Sequence, residues 1–155
     1  MNTRKAPEFQ LPDQDGKIRS LTEFLKNGPV VVVFYPGDFT PVCTAQLCSY
    51  RDSSPELKNL GIQIVGISND PPEKHKKFIA EYGFDFPLLT DADKQVAKAF
   101  GATSKWMLGA VTRANFIVNS KGDIVFEHID AIAVTHQKSE NLKQTIQRLK
   151  DERKI

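Results

Sequence analysis

The sequence VVVVFYPGDFTPVC at residues 30–43 joins a continuous apolar run to a proline-containing loop and a cysteine. The β-branched and aromatic residues at 30–35 predict a strand that is buried on both faces and lies at the centre of a sheet. Pro41 suits the first turn of a helix, where its missing N–H costs little. We therefore expect a strand, a loop and a helix, with Cys43 in the first helical turn.

Turn residues and apolar periodicity divide the rest of the chain into further strands and helices. The predicted elements are a hairpin of residues 9–11 and 17–19, a short helix capped by Ser20, a helix over 43–51, a second helical piece from Ser54-Pro55, a strand over 62–68, a helix over Pro72–Tyr82 capped by Asp70 and ended by Gly83, a strand at Leu88-Leu89, a helix over 93–100, an irregular stretch over 101–112, a hairpin of Ala114–Val118 and 124–128, and a helix over 139–153.

This order of elements predicts an α/β architecture with parallel middle strands. The thioredoxin fold has the same order, with its reactive cysteine directly after a central strand. We expect a thioredoxin-like fold with an N-terminal β-hairpin and a central mixed sheet flanked by helices. The whole chain, residues 1–155, is expected to form one domain.

Charge and hydropathy exclude several classes of protein. The formal net charge is +2 and charges of both signs are interleaved, so no nucleic-acid-binding face is expected. No apolar run approaches the roughly 20 residues of a membrane span, and the first ten residues lack the apolar core of a signal peptide. We expect a cytoplasmic protein without membrane contact.

The chain has two cysteines, Cys43 and Cys48. In a reducing compartment, a pair of this kind is catalytic, redox-sensing or metal-binding. An ordinary thiol has a pKa of about 8.5 and only its thiolate is a nucleophile, so a reactive cysteine needs nearby positive potential. The free amides of a helix N-terminus supply it, and Thr40 can place a hydroxyl near the same sulfur.

The pattern Pro36-x-x-x-Thr40-x-x-Cys43 resembles the active-site motif of peroxiredoxins. Cys43-Thr44-x-x-x-Cys48 is similar to their Q-type branch, also called bacterioferritin comigratory proteins. The resemblance runs from Ala6 to about Glu127. Further matching segments are residues 6–16, Arg51-Asp52, Lys74-His75, Phe78, Tyr82, residues 86–89 and Asp91.

The resemblance implies a thiol-dependent peroxidase that reduces hydrogen peroxide and organic hydroperoxides. Cys43 would become a sulfenic acid and Cys48 would resolve it as an intramolecular disulfide, which thioredoxin or a similar dithiol would reopen. Pro36, Thr40 and Arg113, which matches the family's arginine, would complete the catalytic site. No cofactor and no metal are implied. Some Q-type relatives are monomers, so we expect a monomer, with a dimer as the alternative.

The spacing of the two cysteines implies motion. Residues five apart on an α-helix are separated by a rise of about 7.5 Å and a rotation near 140°, so their Cα atoms lie roughly 8 to 9 Å apart. A disulfide needs less than about 7 Å. The first turns of the helix must therefore unwind before Cys43 and Cys48 can bond. The alternative reading of Cys48 is a buried structural thiol.

Two departures from the family bear on activity. Gln46 stands where the family often has glutamate, which removes a negative charge near the thiolate but leaves an oxygen that can accept from Arg113. We expect activity to survive this change. The stretch over 101–112 is shorter than the family's usual loop, which bears on the pocket rim.

Two competing functions stay open at this point. A thioredoxin-like thiol-disulfide oxidoreductase would share the fold, but its reactive pair should be Cys-x-x-Cys rather than Cys-x-x-x-x-Cys. A metal-binding module would have to use the two cysteines with His75, His128 and His136, which show no zinc-type spacing. We expect these three histidines to be surface or second-layer residues.

Overall fold

The structure is a computed structural model that describes residues 4–104, 109–129 and 139–155. In chain order its elements are β1 (Arg4–Lys5), β2 (Gln10–Pro12), β3 (Ile18–Ser20), α1 (Leu21–Leu25), β4 (Val30–Phe34), α2 (Pro41–Asn59), β5 (Gln63–Ser68), α3 (Pro72–Tyr82), β6 (Leu88–Thr90), α4 (Gln95–Phe100), β7 (Thr103–Ser104), β8 (Ala110–Val111), β9 (Ala114–Val118), β10 (Asp123–Ile129) and α5 (Ser139–Asp151).

The main sheet has six strands in the order β1-β10-β9-β4-β5-β6. β4 pairs in parallel with β5, and β5 pairs in parallel with β6. β9 runs antiparallel to the other side of β4. Every residue of β4 is buried, as its apolar sequence predicts. The central strand, the parallel middle strands and the mixed sheet are thus confirmed.

Side chains of β4 alternate between two apolar clusters, one on each face of the sheet. Val30, Val32 and Phe34 pack in one cluster with Phe24 of α1 and Phe100 of α4. The other β4 side chains belong to the second cluster, to which α2, α3 and α5 contribute. Helices therefore flank both faces of the sheet, and the α/β prediction is confirmed.

The N-terminal hairpin and the helix after it also follow the prediction. β2 and β3 pair antiparallel, and α1 begins directly after them. The Ser20 side chain accepts a hydrogen bond of 3.2 Å from the Glu23 amide, which satisfies a free donor at the helix start. The Glu23 carboxylate instead pairs with Arg19 at 2.9 Å, so only half of a capping box forms.

The helix that carries both cysteines is longer than predicted. α2 is one continuous helix with Pro55 inside it, so the predicted restart at Ser54-Pro55 is wrong. A proline in this place removes one helical hydrogen bond. Ser53, Ser54 and Leu57 are buried on either side of Pro55, and their packing offsets that loss. Tertiary contacts thus override the local helix-breaking preference.

The bounds of α3 are as predicted, but its cap is not. The N-cap is Pro71, whereas the Asp70 carboxylate accepts hydrogen bonds from the Asp38 amide at 2.7 Å and from Lys74 at 3.0 Å. Asp70 therefore ties the loop after β4 to α3. Gly83 ends the helix with a left-handed φ of 69°, as expected.

Residues 101–112 are more regular than predicted. β7 and β8 form a short antiparallel pair, in which Thr103 lies opposite Val111. Residues 105–108 within this stretch lie outside the described ranges. The β9–β10 hairpin and α5 match their predictions. Among the described helices, none has the length and apolar character needed to cross a membrane.

Candidate active site

Cys43 is the third residue of α2 and is fully buried. Thr40 is the N-cap and Pro41 the first helical residue, so the sequence starts the helix where it was expected to. The Thr44 amide donates to the Thr40 carbonyl at 2.9 Å, which closes the first turn. Cys43 therefore lies in the turn whose free amide groups carry the positive end of the helix dipole.

Arg113 reaches the cysteine from the neighbouring strand. It directly precedes β9, whose first residue Ala114 lies opposite Phe34 at the end of β4. This register brings Arg113 to the same edge of the sheet as the loop that leads to Cys43. Its Nη1 atom donates to Cys43 Sγ at 2.8 Å, and only 3% of Arg113 is exposed.

Gln46 also contacts this guanidinium. Arg113 Nη1 lies 3.4 Å from Gln46 Oε1, and Gln46 is fully buried one turn after Cys43. The neutral amide thus accepts from Arg113, as expected from the sequence. Gln46 is a neutral amide, so at this position it adds no negative charge beside the Cys43 sulfur.

Pro36 and Thr40 lie in the loop between β4 and α2. Pro36 is half-buried at the start of the loop, and Thr40 is exposed at its end. Thr40 Oγ1 donates to the Gly37 carbonyl at 2.8 Å. Its proton is therefore directed into the loop, and its lone pairs can accept a hydrogen bond from a hydroperoxide.

Cys48 is a half-buried free thiol on the same helix as Cys43, which is also free. α2 is unbroken between them, so the separation expected from helix geometry applies. Burial raises the pKa of Cys48, and the Asp52 charge adds to this effect while Arg51 opposes it. The reduced structure thus holds Cys48 as a neutral thiol at a distance from Cys43.

Sequence reasoning missed a buried polar cluster beside this site. Asp38 Oδ1 accepts a hydrogen bond from the Tyr35 hydroxyl, and its other carboxylate oxygen lies 2.6 Å from His75 Nδ1. His75 is fully buried against Asp38 of the loop before α2, so of the two places expected for it, the surface and the second layer, it occupies the second. His128 is half-buried, and His136 lies outside the described residues. The signal was present in the sequence, because Asp38 lies inside the motif and Lys74-His75 matches the family.

Comparisons with known proteins find relatives over most of the chain. Residues 3–127 match the model of the AhpC/TSA family. The chain is 43% identical over 116 residues to the chloroplastic peroxiredoxin Q of Populus jackii, an alignment that covers 75% of this chain and 54% of that protein. The chain thus spans about half the length of that curated relative.

Two solved structures share the fold over nearly the whole chain. The peroxidoxin BcpB of Mycobacterium tuberculosis has a TM-score of 0.84 and 33% identity, with 96% of each chain covered. The bacterioferritin comigratory protein of Xanthomonas campestris, studied for its alkyl peroxide reduction activity, has a TM-score of 0.79 and 26% identity. That match covers 93% of this chain and 91% of the other.

Proposed function

Because the chain belongs to the AhpC/TSA family, among relatives named peroxiredoxin Q and Bcp, we propose that it is a thiol-dependent peroxidase. The observation that carries this proposal is the 2.8 Å contact between Arg113 Nη1 and Cys43 Sγ in the first turn of α2. A permanent cation contacts a sulfur in the first turn of a helix, which is the environment that a thiolate nucleophile needs.

In the first step, the Cys43 thiolate attacks one oxygen of the hydroperoxide. An S–O bond forms, the O–O bond breaks, and the leaving oxygen departs as an alcohol or water after it takes up a proton. Arg113 and the first-turn amides stabilise the negative charge that moves onto the leaving oxygen. Thr40 orients the peroxide by accepting its hydrogen bond. Cys43 becomes a sulfenic acid.

In the second step, Cys48 resolves the sulfenic acid. α2 unwinds locally, the Cys48 sulfur attacks Cys43, an S–S bond forms and water leaves. Cys43 is fully buried in the wound helix, so a protein reductant cannot reach its sulfur there. Unwinding exposes the disulfide, and thioredoxin or a similar dithiol reopens it by exchange.

Several further properties are part of the proposal. Substrates are hydrogen peroxide and organic hydroperoxides, which the activity studied for the Xanthomonas campestris relative supports. A reducing compartment such as the cytoplasm would supply the dithiol reductant. The chain would act as a single-domain monomer, since both cysteines and Arg113 come from one chain and helices cover both faces of its sheet. No cofactor or metal takes part in either step.

Stopped-flow measurement of peroxide consumption tests the proposal. We expect wild-type protein to turn over repeatedly with thioredoxin. Cys43→Ser should consume no peroxide, because the activated nucleophile is gone. Cys48→Ser should consume one equivalent and then stop with thioredoxin, although a small thiol can sustain it. Comparable consumption by the two variants would contradict the assignment.

A further inference from the structure

The buried cluster of Tyr35, Asp38 and His75 joins the active-site loop to two other elements. Asp38 belongs to the loop before α2, Tyr35 follows β4, and His75 lies on α3. All three are at most 2% exposed. Leu89 of β6 also takes part, because its carbonyl oxygen lies 3.1 Å from His75 Nε2. Buried polar groups in such a network are costly unless each is satisfied, so every member of the cluster needs its hydrogen-bond partner.

The contacts limit the positions of the protons in the cluster. The Leu89 carbonyl can only accept, so His75 Nε2 must carry a hydrogen. The 2.6 Å contact between His75 Nδ1 and Asp38 Oδ2 then contains one shared proton, on either imidazole or carboxyl. The Tyr35 hydroxyl donates to Asp38 Oδ1 at 2.6 Å. Burial and the Asp38 charge raise the pKa of Tyr35 well above its ordinary value, which keeps this hydroxyl a donor.

This cluster holds a strained loop. Phe39, directly after Asp38, has a left-handed φ of 64°, which is unfavourable for a residue with a side chain. The loop keeps this conformation because both of its sides are anchored. The Asp38 amide donates to the Asp70 carboxylate at 2.7 Å, and the centroids of the Phe39 and Phe78 rings lie 4.9 Å apart. Thr40 and the first turn of α2 follow immediately.

We propose that Asp38 and His75 are positioning residues for Cys43. Their proton-sharing contact holds residues 36–41 in the conformation that presents the first turn of α2 to the peroxide, and it opposes the unwinding that disulfide formation requires. Neither residue touches the reacting atoms; both act through the loop. The inference rests on the proposed peroxidase function, and it predicts opposite effects on the two chemical steps when the contact is broken.

Two substitutions of His75 separate its two hydrogen bonds. Asparagine places an amide near the position of Nδ1 and can donate to Asp38, whereas glutamine reaches the position of Nε2 and can donate to Leu89. We expect His75→Asn to stay close to wild type. His75→Gln should speed disulfide formation by about ten- to one-hundred-fold, the ratio typical of losing a hydrogen bond to a charged group, and should slow sulfenic acid formation. Lys77→Gln, an exposed change on the same helix, is the control.

A measurement without peroxide separates this inference from the proposed function. The Thr44 amide, bonded to the Thr40 carbonyl, reports the wound first turn in the reduced protein. The hydrogen exchange rate of this amide should rise about ten- to one-hundred-fold in His75→Gln and stay near the wild-type rate in His75→Asn. Tyr35→Phe, a conservative change that removes one donor to Asp38, should shift exchange in the direction of His75→Gln. Equal exchange in the two His75 variants, or unchanged exchange in Tyr35→Phe, would overturn the inference even if wild-type protein reduces peroxide.

Discussion

Replacement of Ala45 by glycine tests whether local unwinding of α2 controls disulfide formation. Ala45 is exposed and lies between the two cysteines, so the change lowers helix propensity without altering the core. Glycine in place of alanine inside an exposed helix costs about 1 kcal/mol, which corresponds to a roughly fivefold larger unwound population. If unwinding is a rapid equilibrium before the chemical step, disulfide formation should become about fivefold faster.

The same change should leave the peroxide step unaltered. Unwinding exposes Leu47, which is fully buried, and separates Gln46 from Arg113. Exposure of a leucine costs about 1.5–3 kcal/mol and loss of a hydrogen bond about 1 kcal/mol, so roughly one molecule in 100 to 1,000 is unwound. A fivefold increase still leaves nearly all molecules wound and competent to react with peroxide.

The assay mixes reduced protein with one equivalent of peroxide, quenches with acid, and counts free thiols by alkylation and mass spectrometry. Ala80→Gly is the matched control, since Ala80 is an exposed residue of α3 and the same substitution there lowers stability without affecting α2. We expect faster disulfide formation in Ala45→Gly alone. Equal rates in wild type and Ala45→Gly, or equal acceleration in both glycine variants, would refute control by local unwinding.

Three further predictions follow from the site. Arg113→Lys should slow the peroxide step about tenfold or more, because an ammonium cannot reproduce the guanidinium geometry at the Cys43 sulfur; an unchanged stopped-flow rate would assign the charge to another group. In Cys43→Ser, alkylation of Cys48 should require a higher pH than a free thiol, because burial raises its pKa, and denaturant should abolish the difference. Hydrogen exchange of amides 44–48 should be slow in the reduced protein and fast in the disulfide form, with β4 unchanged; retained protection would leave Cys48 as a structural thiol.

The central strand and the start of α2 could be predicted because local signals and burial agree there. The residues at 30–35 are apolar or aromatic without the polar alternation of a half-exposed strand, and within a helix Pro41 fits the first turn. Arg113 was identified through the family motif. Its approach to Cys43 depends on the pairing of β9 with β4, which local sequence does not encode.

Other features depend on contacts between distant residues. His75 and Asp38 are 37 positions apart, and the charged residues around His75 favour an exposed side chain, so only the family match of Lys74-His75 pointed to a role for it. Pro55 normally ends a helix, yet burial of neighbouring residues carries α2 past it. In each case tertiary packing outweighs a local preference worth about 1–3 kcal/mol. Patterns in a single sequence do not reveal such packing.

The most direct test of the central claim is the mass of one peptide. Trypsin cleaves after Lys26 and Arg51, so residues 27–51 carry both cysteines. After one equivalent of peroxide, the wild-type peptide should lose two hydrogens and resist alkylation, whereas Cys48→Ser should yield a sulfenic acid on Cys43 that a 1,3-diketone traps. An oxygen adduct on Cys48 while Cys43 remains alkylatable, or an unmodified peptide, would contradict the assignment of Cys43 as the peroxidatic cysteine.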